Sequence, residues 1–183
     1  MTDDENRGKS EDELRRRAEE SFNTGVEAYK HGDSRCALER FELALALYRE
    51  IPGSERNQAR CLFNSGIALG WLDDWRGALE RYELALALFQ GVSGSEHDQA
   101  GCLFNSGVVL ERLGDWRGAL ERYELALALF QGVSGSERNQ AKCLHNSGAA
   151  LGELGDLRGA LERYKRALTL LDQYTPEADR IEA

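Results

Sequence analysis

Cysteine and histidine are the residue types in this chain that could bind a metal or act as a nucleophile. Three of the four cysteines, Cys61, Cys102 and Cys143, are spaced 41 residues apart. A fixed spacing of this kind marks one position of a repeated unit. His145, two residues after Cys143, gives only a weak hint of a metal site, and the chain has no Cys-x-x-Cys pair. We therefore expect small buried thiols, no metal and no cofactor.

Disulfide bonds between equivalent cysteines of neighbouring repeats are excluded by distance. Packed helices lie about 8–10 Å apart, whereas a disulfide needs Cα atoms within about 7 Å of each other. Unbridged thiols favour a reducing compartment, so we expect a cytoplasmic protein.

Catalytic motifs are also missing from the sequence. We find no nucleophile elbow, phosphate-binding loop or HExxH motif. His31, His97 and His145 share no plausible catalytic partner, and the carboxylates fall on mixed-charge helix faces, as in the pair Arg76 and Glu80. The sequence therefore predicts that the protein is not an enzyme.

The charge and the apolar runs exclude two classes of partner. A formal net charge of −9 argues against nucleic acid, because phosphate binding needs a basic surface. No apolar run approaches the roughly 18 residues that a membrane span requires. Residues 1–13 lack the apolar core of a secretory signal. We expect neither a nucleic-acid nor a membrane partner.

The elements that carry these residues form a unit repeated four times. In residues 54–94, apolar residues recur at helical spacing from Ala59 to Leu72 and again from Trp75 to Gln90. Ser54 is predicted to be the N-cap of the first of these helices. Each unit is therefore a helical hairpin, and the hairpins must stack to bury their apolar faces.

The repeat length sets the boundaries of the parts of the chain. We predict a flexible acidic tail over residues 1–9 and four 41-residue repeats over residues 10–174. A short C-terminal tail or partial capping turn follows over residues 175–183. Residues 10–13 match a capping box that would open the first helix. The repeats themselves run over about 10–50, 51–91, 92–132 and 133–173.

The fourth repeat differs from the others on one side of its second helix. Leu43, Leu84 and Leu125 become Arg166, and Ala46, Ala87 and Ala128 become Thr169. Because the two positions are three residues apart, they share a helical face. We expect this face to meet the next hairpin in the first three repeats, so that its polar residues end the stack in the fourth.

Four positions recur in a fixed order within every repeat. A small residue in the first helix is followed by an alanine, an aromatic residue and a second alanine. The residues at these positions are Gly25, Gly66, Gly107 and Gly148; Ala37, Ala78, Ala119 and Ala160; Phe41, Tyr82, Tyr123 and Tyr164; and Ala44, Ala85, Ala126 and Ala167. This pattern resembles that of the tetratricopeptide repeat (TPR) family. The long unit is similar to the repeats of kinesin light chains, Pins/LGN adaptors and Rap-type regulators. The resemblance implies an all-α, right-handed α-solenoid of four stacked hairpins, whose first helices line a concave peptide-binding surface.

The copies differ from each other in one region only. Residues 75–115 and 116–156 differ at eight positions, all on the first helix, which fill one arc of about 160° on a helical projection. The differing pairs are His97/Arg138, Asp98/Asn139, Gly101/Lys142, Phe104/His145, Val108/Ala149, Val109/Ala150, Glu111/Gly152 and Arg112/Glu153. Neutral drift of exposed residues could explain them, but drift should also change the second helix, where exposed charges recur unless gene conversion has homogenised them. We favour a fixed scaffold with a diversified binding face.

The chemistry of this face indicates its partner. Phenylalanines rimmed by arginine and lysine suit a peptide segment with hydrophobic and acidic residues, and a recurring asparagine suits a peptide backbone, or else a neighbouring helix. The predicted binding residues are Asn23, Arg56, Arg60, Phe63, Asn64, Ile67, Trp71, Gly101, Phe104, Asn105, Val108, Arg112, Lys142, His145 and Asn146.

We therefore predict a non-enzymatic interaction module, an adaptor or scaffold, that acts as a monomer and binds a protein or peptide partner. Two other functions stay open. Near-identical hairpins can swap or stack into a self-assembling structural protein, or the chain can be the peptide- or small-ligand-sensing fragment of a larger signalling protein.

Overall fold

The computed structural model of the protein describes residues 3–174, and the side chains of residues 10–173. Within that range every element of regular secondary structure is an α-helix. The helices are α1 (Asp3–Lys30), α2 (Ser34–Arg49), α3 (Glu55–Trp71), α4 (Trp75–Gln90), α5 (Glu96–Arg112), α6 (Trp116–Gln131), α7 (Glu137–Glu153) and α8 (Leu157–Tyr174). The all-α prediction is confirmed, and each repeat is a helical hairpin.

The helices form two compact units, Met1–Ser95 and Glu96–Ala183. In the first unit α1 packs on α2, α2 on α3, and α3 on α4. In the second unit α5 packs on α6, α6 on α7, and α7 on α8. Each unit is therefore a pair of hairpins in which a second helix lies against the first helix of the following hairpin.

Glycine allows the two helices of a hairpin to approach closely. A Cβ atom added at Gly66 would lie 2.7 Å from Cε1 of Tyr82, and one at Gly25 would lie equally close to Phe41. The alanines at the matching positions of the second helices, such as Ala78, are buried. The small residues of the repeat pattern are thus required by packing.

The tight break inside each hairpin is built by an aspartate. The side chains of Asp33, Asp74, Asp115 and Asp156 accept hydrogen bonds of 2.9 Å from backbone N–H groups in the first turn of the helix that follows. The residue before this aspartate has a positive φ in every repeat. It is a glycine in three of them, whereas in the second it is Asp73, with φ 60°.

The start of α1 differs from the prediction. The helix begins at Asp3, so residues 3–9 are helical, and the capping box at residues 10–13 lies inside the helix instead of opening it. A run of acidic residues favours a helix N-terminus because it complements the helix dipole, and residues 3–20 contain few helix-breaking residues. The predicted tail over residues 175–183 lies outside the described residues.

Ser54 occupies the N-cap position of α3, but its hydroxyl does not cap that helix. It donates to the carbonyl of Ile51 at 2.7 Å, and Ser136 likewise donates to that of Val133 at 2.6 Å. Both serines are buried. They hold the end of one hairpin to the start of the next, so the prediction of a capping side chain was wrong.

The prediction about the end of the stack was also wrong. Leu43, Leu84 and Leu125 are exposed in the first three repeats, as are the alanines three residues later. This face meets no following hairpin, so Arg166 and Thr169 change a surface that already contacts water. Helical spacing showed that these positions share a face but not which face a neighbouring helix covers.

Candidate functional site

The side of each first helix that carries the differing positions is partly open to solvent, and we call it the first-helix face. In the second unit it is indented between α5 and α7. There a hollow of about 230 Å³ is lined by His97, Gly101 and Phe104 from α5, and by Asn139 and Lys142 from α7. All five residues occupy positions at which the copies differ. Asn105 and Phe130 complete the lining.

Contacts between α5 and α7 shape this hollow. Nε2 of His97 lies 3.3 Å from Nδ2 of Asn139. The imidazole of His97 also packs edge-on against the ring of Phe130, at 5.3 Å between centroids. Lys142 is exposed at the rim, whereas Phe104 and Asn105 are half-buried. The hollow thus offers an aromatic edge, an amide and a cation to the same ligand.

A larger hollow of about 540 Å³ lies between α7 and α8. Arg138, Lys142 and His145 contribute to it from α7, and Tyr164 and Leu168 from α8. Its lining also includes Asn146 but no carboxylate. On a chain of net charge −9, this is a locally apolar and positive surface.

In the first unit, several predicted binding residues are engaged in contacts within the protein. Arg56 donates to the backbone carbonyl of Ser93 at 3.0 Å. The guanidinium of Arg60 lies 4.7 Å from the ring centre of Phe22, a cation–π contact that covers this ring. Trp71 is exposed, and its indole N–H donates to the hydroxyl of Tyr29 at 3.1 Å. The open part of this face is therefore smaller than predicted.

The aromatic residues of the face also stabilise their own hairpins. The ring of Phe63 lies 5.6 Å from that of Tyr82, and the ring of Phe104 lies 5.5 Å from that of Tyr123. His145 makes the same contact in the fourth repeat. Because Phe63 and Phe104 are half-buried in these pairs, replacing them affects packing as well as any ligand contact.

The recurring asparagines lie on the first-helix face with different exposure. Asn23 is exposed, and Asn64, Asn105 and Asn146 are half-buried. Nδ2 of Asn64 donates to the carbonyl of Arg60 in its own helix at 2.8 Å. This bond uses a donor of the amide and leaves its oxygen available to accept from a peptide N–H.

The other predicted residues also lie on this side, although the variable arc extends into the core. Gly101, Ile67 and Val108 are half-buried and Arg112 is exposed. Val109 also differs between the copies, but it is only 3% exposed. A helical projection orders the positions around the axis without locating the edge of the core, so the variable arc and the open surface do not coincide.

Sequence reasoning did not select Glu111, which is half-buried in α5. Burial raises the pKa of its carboxyl above the usual value. The sequence did contain a signal for Glu111, because the neighbouring copies have glycine at this position, Gly70 and Gly152.

The cysteines have the environment that the sequence predicted. Cys61, Cys102 and Cys143 are buried free thiols, and burial raises the pKa of each to about 12. Among residues with described positions, no group of three or more His, Cys, Asp or Glu side chains is arranged to hold a metal ion.

None of the helices in the described part of the chain is long and apolar enough to cross a membrane.

Comparison with known families identifies the repeat. The sequence profile of the tetratricopeptide repeat family matches residues 64–131 and 99–173, which together span more than half of the chain. The chain belongs to the tetratricopeptide repeat family, and its fold is the all-α helical-repeat solenoid of that family. This fold typically serves protein interaction without catalysis, which supports a general adaptor or scaffold role. A search of curated proteins found no match.

Solved structures share the fold at low sequence identity. BtubC (BKLC) from P. vanneervenii has a TM-score of 0.78 and 24% identity, over 87% of this chain and 66% of BtubC. RapI in its apo form has a TM-score of 0.81 and 21% identity, over 90% of this chain and 45% of RapI. The chain thus spans less than two thirds of either protein.

A third similar structure has near-identical repeats of its own. It is a putative kinesin light chain from Podosopora anserina, described as having nearly identical TPR-like repeats. Its TM-score is 0.72 at 16% identity, over 88% of this chain and 78% of that protein. These likenesses establish the fold alone, and they confirm the predicted similarity to kinesin light chain and Rap-type repeats.

Proposed function

We propose that this protein is an adaptor whose first-helix faces bind peptide segments that carry hydrophobic and acidic residues. The observation that carries the proposal is the hollow between α5 and α7. Five of the residues that line it occupy positions at which otherwise near-identical repeats differ. Diversity concentrated around a hollow, on an unchanged scaffold, is expected of a surface selected for recognition.

The residues around this hollow define the ligand. The exposed ammonium of Lys142 favours an acidic side chain, and the half-buried ring of Phe104 offers an apolar contact. The amide of Asn105 can both donate to and accept from a peptide backbone. In the first unit, Phe63 and Asn64 stand at the positions of Phe104 and Asn105 and have the equivalent roles. Phe22 is not assigned this role, because the guanidinium of Arg60 already covers its ring.

An exchange of residues between repeats tests this proposal while keeping an aromatic ring at the position that packs on Tyr123. The variant carries His97→Arg, Asp98→Asn, Gly101→Lys and Phe104→His, so that α5 acquires the residues of α7. Each new residue type already occurs at the same position of α7, so we expect the thermal midpoint to change by only a few degrees. Exchanging these residues fills the hollow with a lysine and removes its phenylalanine.

The probe is a peptide enriched from a random phage-displayed library on the wild-type protein. We expect enriched peptides to combine acidic and apolar residues, and their affinity to fall at least about tenfold in the exchange variant. Glu121→Gln, an exposed change on the second helix, is the control and should leave affinity unchanged. Equal affinity for the wild type and the exchange variant would show that the first-helix face is not the site.

Cytoplasmic location and a monomeric state stay predictions.

A further inference from the structure

Leu127 in α6 and Leu168 in α8 occupy equivalent positions 41 residues apart, but their exposure differs greatly. Leu127 is 7% exposed, whereas Leu168 is 63% exposed. Within the described residues of this unit, α6 packs against both α5 and α7, whereas α8 packs against α7. The side of α8 that is equivalent to the α7-covered side of α6 is therefore open.

This open side of α8 has kept its apolar residues. Leu157, Leu161 and Leu168 are exposed, and half-buried Tyr164 lies between them. Their spacing of four, three and four residues places them in one line along the helix. We call these four residues the end stripe. It is an apolar helix face of the kind that packs against another helix.

Helix α1, in the first repeat, has a different composition on its exposed side. Arg17, Glu20 and Thr24 of α1 are exposed. At the equivalent positions of α3 stand Gln58, Cys61 and Ser65, which are buried or half-buried. The sequence has therefore made the outer side of α1 polar, whereas the end stripe has stayed apolar. Such asymmetry disfavours stacking of α8 from one copy onto α1 of another.

The hollow beside the end stripe is larger than its equivalent in the preceding junction. In the preceding junction, residues of α7 occupy the space next to α5 and α6, and the hollow that remains measures about 230 Å³. Beside α8 the equivalent hollow measures about 540 Å³. A helix is thus the shape that this surface fits, because a helix fills the same place in the junction before it.

Charge selects among the possible helices. Arg138 and Lys142 lie at the rim of the hollow, and Arg158 and Lys165 of α8 are exposed, whereas Arg163 of α8 is already paired with Glu124 at 2.6 Å. A second copy of α8 would bring the same excess of cations to this surface. An acidic helix meets opposite charge instead.

We propose that the end stripe docks an acidic amphipathic helix of a partner protein, in the place that a further first helix would take. The surface shares Lys142 with the hollow between α5 and α7, but its apolar residues lie on α8, and the proposal does not rest on peptide binding in that hollow. Docking would bury the three exposed leucines and pair the partner's carboxylates with the cations around them.

The chain itself supplies a probe for this surface. α7 covers the equivalent face of α6, so a fluorescein-labelled synthetic peptide of residues 136–153 has the complementary shape. The acidic form of the probe carries Arg138→Glu and Lys142→Glu, and the unaltered peptide serves as its comparison. Fluorescence anisotropy with the full chain should show at least about tenfold tighter binding of the acidic form.

Two neutral substitutions locate the binding. Leu161→Ser with Leu168→Ser should weaken binding of the acidic probe at least about tenfold, because it removes apolar contact area. Leu125→Ser is the matched control, since Leu125 and Leu161 are both 54% exposed, and it should leave binding unchanged. The exchange of α5 residues described above should also have no effect, so the two proposals can fail separately.

Four results would overturn the proposal. The first is that the acidic probe does not bind. The second is that the probe binds the Leu161→Ser, Leu168→Ser variant as tightly as it binds the wild type. Alternatively, sedimentation of the chain alone shows a dimer that this variant dissociates, which would make a second copy the occupant. Finally, Ile181→Ser in the C-terminal residues strengthens probe binding at least tenfold, which would make the chain's own C-terminus the occupant.

Discussion

Gly107 of α5 lies against the ring of Tyr123 in α6, so closely that a Cβ atom at Gly107 would be 2.6 Å from Cε1 of Tyr123. The same glycine–aromatic contact recurs in the other hairpins. It belongs to the part of the repeat that does not vary. Because this contact holds each hairpin together, the opposite side of the same helix can differ from copy to copy.

Two glycine-to-alanine changes should have opposite effects on stability. Gly107→Ala forces the Tyr123 ring to move and should lower the free energy of unfolding by about 1–3 kcal/mol. A Cβ atom at Gly152, in α7, would meet nothing within 4 Å. Gly152→Ala should therefore raise the free energy of unfolding by about 0.5–1 kcal/mol, because it removes a helical glycine. Urea titrations of both variants measure this, and equal destabilisation would contradict the packing described here.

Two adjacent aspartates should also respond in opposite directions. Asp73 has φ 60°, where the other repeats have glycine, so Asp73→Gly should stabilise the protein by about 0.5 kcal/mol. Asp74 accepts a hydrogen bond from the backbone N–H of Gly77, so Asp74→Ala should cost about 1 kcal/mol. Thermal unfolding monitored by circular dichroism compares them. A loss of stability in Asp73→Gly would argue against backbone strain at this turn.

Thiol reactivity should separate Cys36 from the other three cysteines. Cys61, Cys102 and Cys143 are buried with pKa values of about 12, so about one in ten thousand of each is ionised at pH 8. Cys36 is only half-buried. With a disulfide reagent at pH 8, one thiol should react rapidly in the native protein and four in guanidinium chloride. Rapid reaction of two or more native thiols would show that the first helices open more readily than their packing implies.

The buried carboxyl of Glu111 should make stability depend on pH. Because its folded-state pKa is raised above 4.5, ionisation of Glu111 disfavours the folded state. This penalty is absent below about pH 4.5 and grows as the pH rises through the raised value. Glu111→Gln should therefore raise the melting temperature at pH 7, on the order of 1 °C, and have a smaller effect at pH 4. Glu121→Gln, on an exposed side chain, is the control. A gain that is the same at both pH values would contradict a buried ionised carboxylate.

The sequence predicted the features that every repeat must share. The 41-residue period located the hairpins, and burial of Cys61 followed from a position that recurs unchanged. These predictions succeeded because each copy meets the same packing requirement, so the same residue types recur at the same positions of the repeat.

Features that depend on how one hairpin contacts the next were not predictable in the same way. Helical periodicity could not show that Leu84 faces solvent, that Ser54 bonds to the preceding turn, or that Arg60 lies over Phe22. Each of these depends on the lateral offset between neighbouring hairpins, and the residue pattern within one helix does not encode that offset. For the same reason, the variable arc predicted the general location of the candidate site but included buried Val109.

A chemical-shift map can locate recognition on the first-helix face. A peptide enriched on the wild-type protein is titrated into the 15N-labelled chain, and the backbone and side-chain amide signals are followed. We expect the largest changes at Gly101, Asn105 and Lys142, with little change at exposed second-helix residues such as Glu80 and Glu121. If the signals of the second-helix residues shift instead and those of the α5–α7 hollow do not, recognition does not occur on the first-helix face.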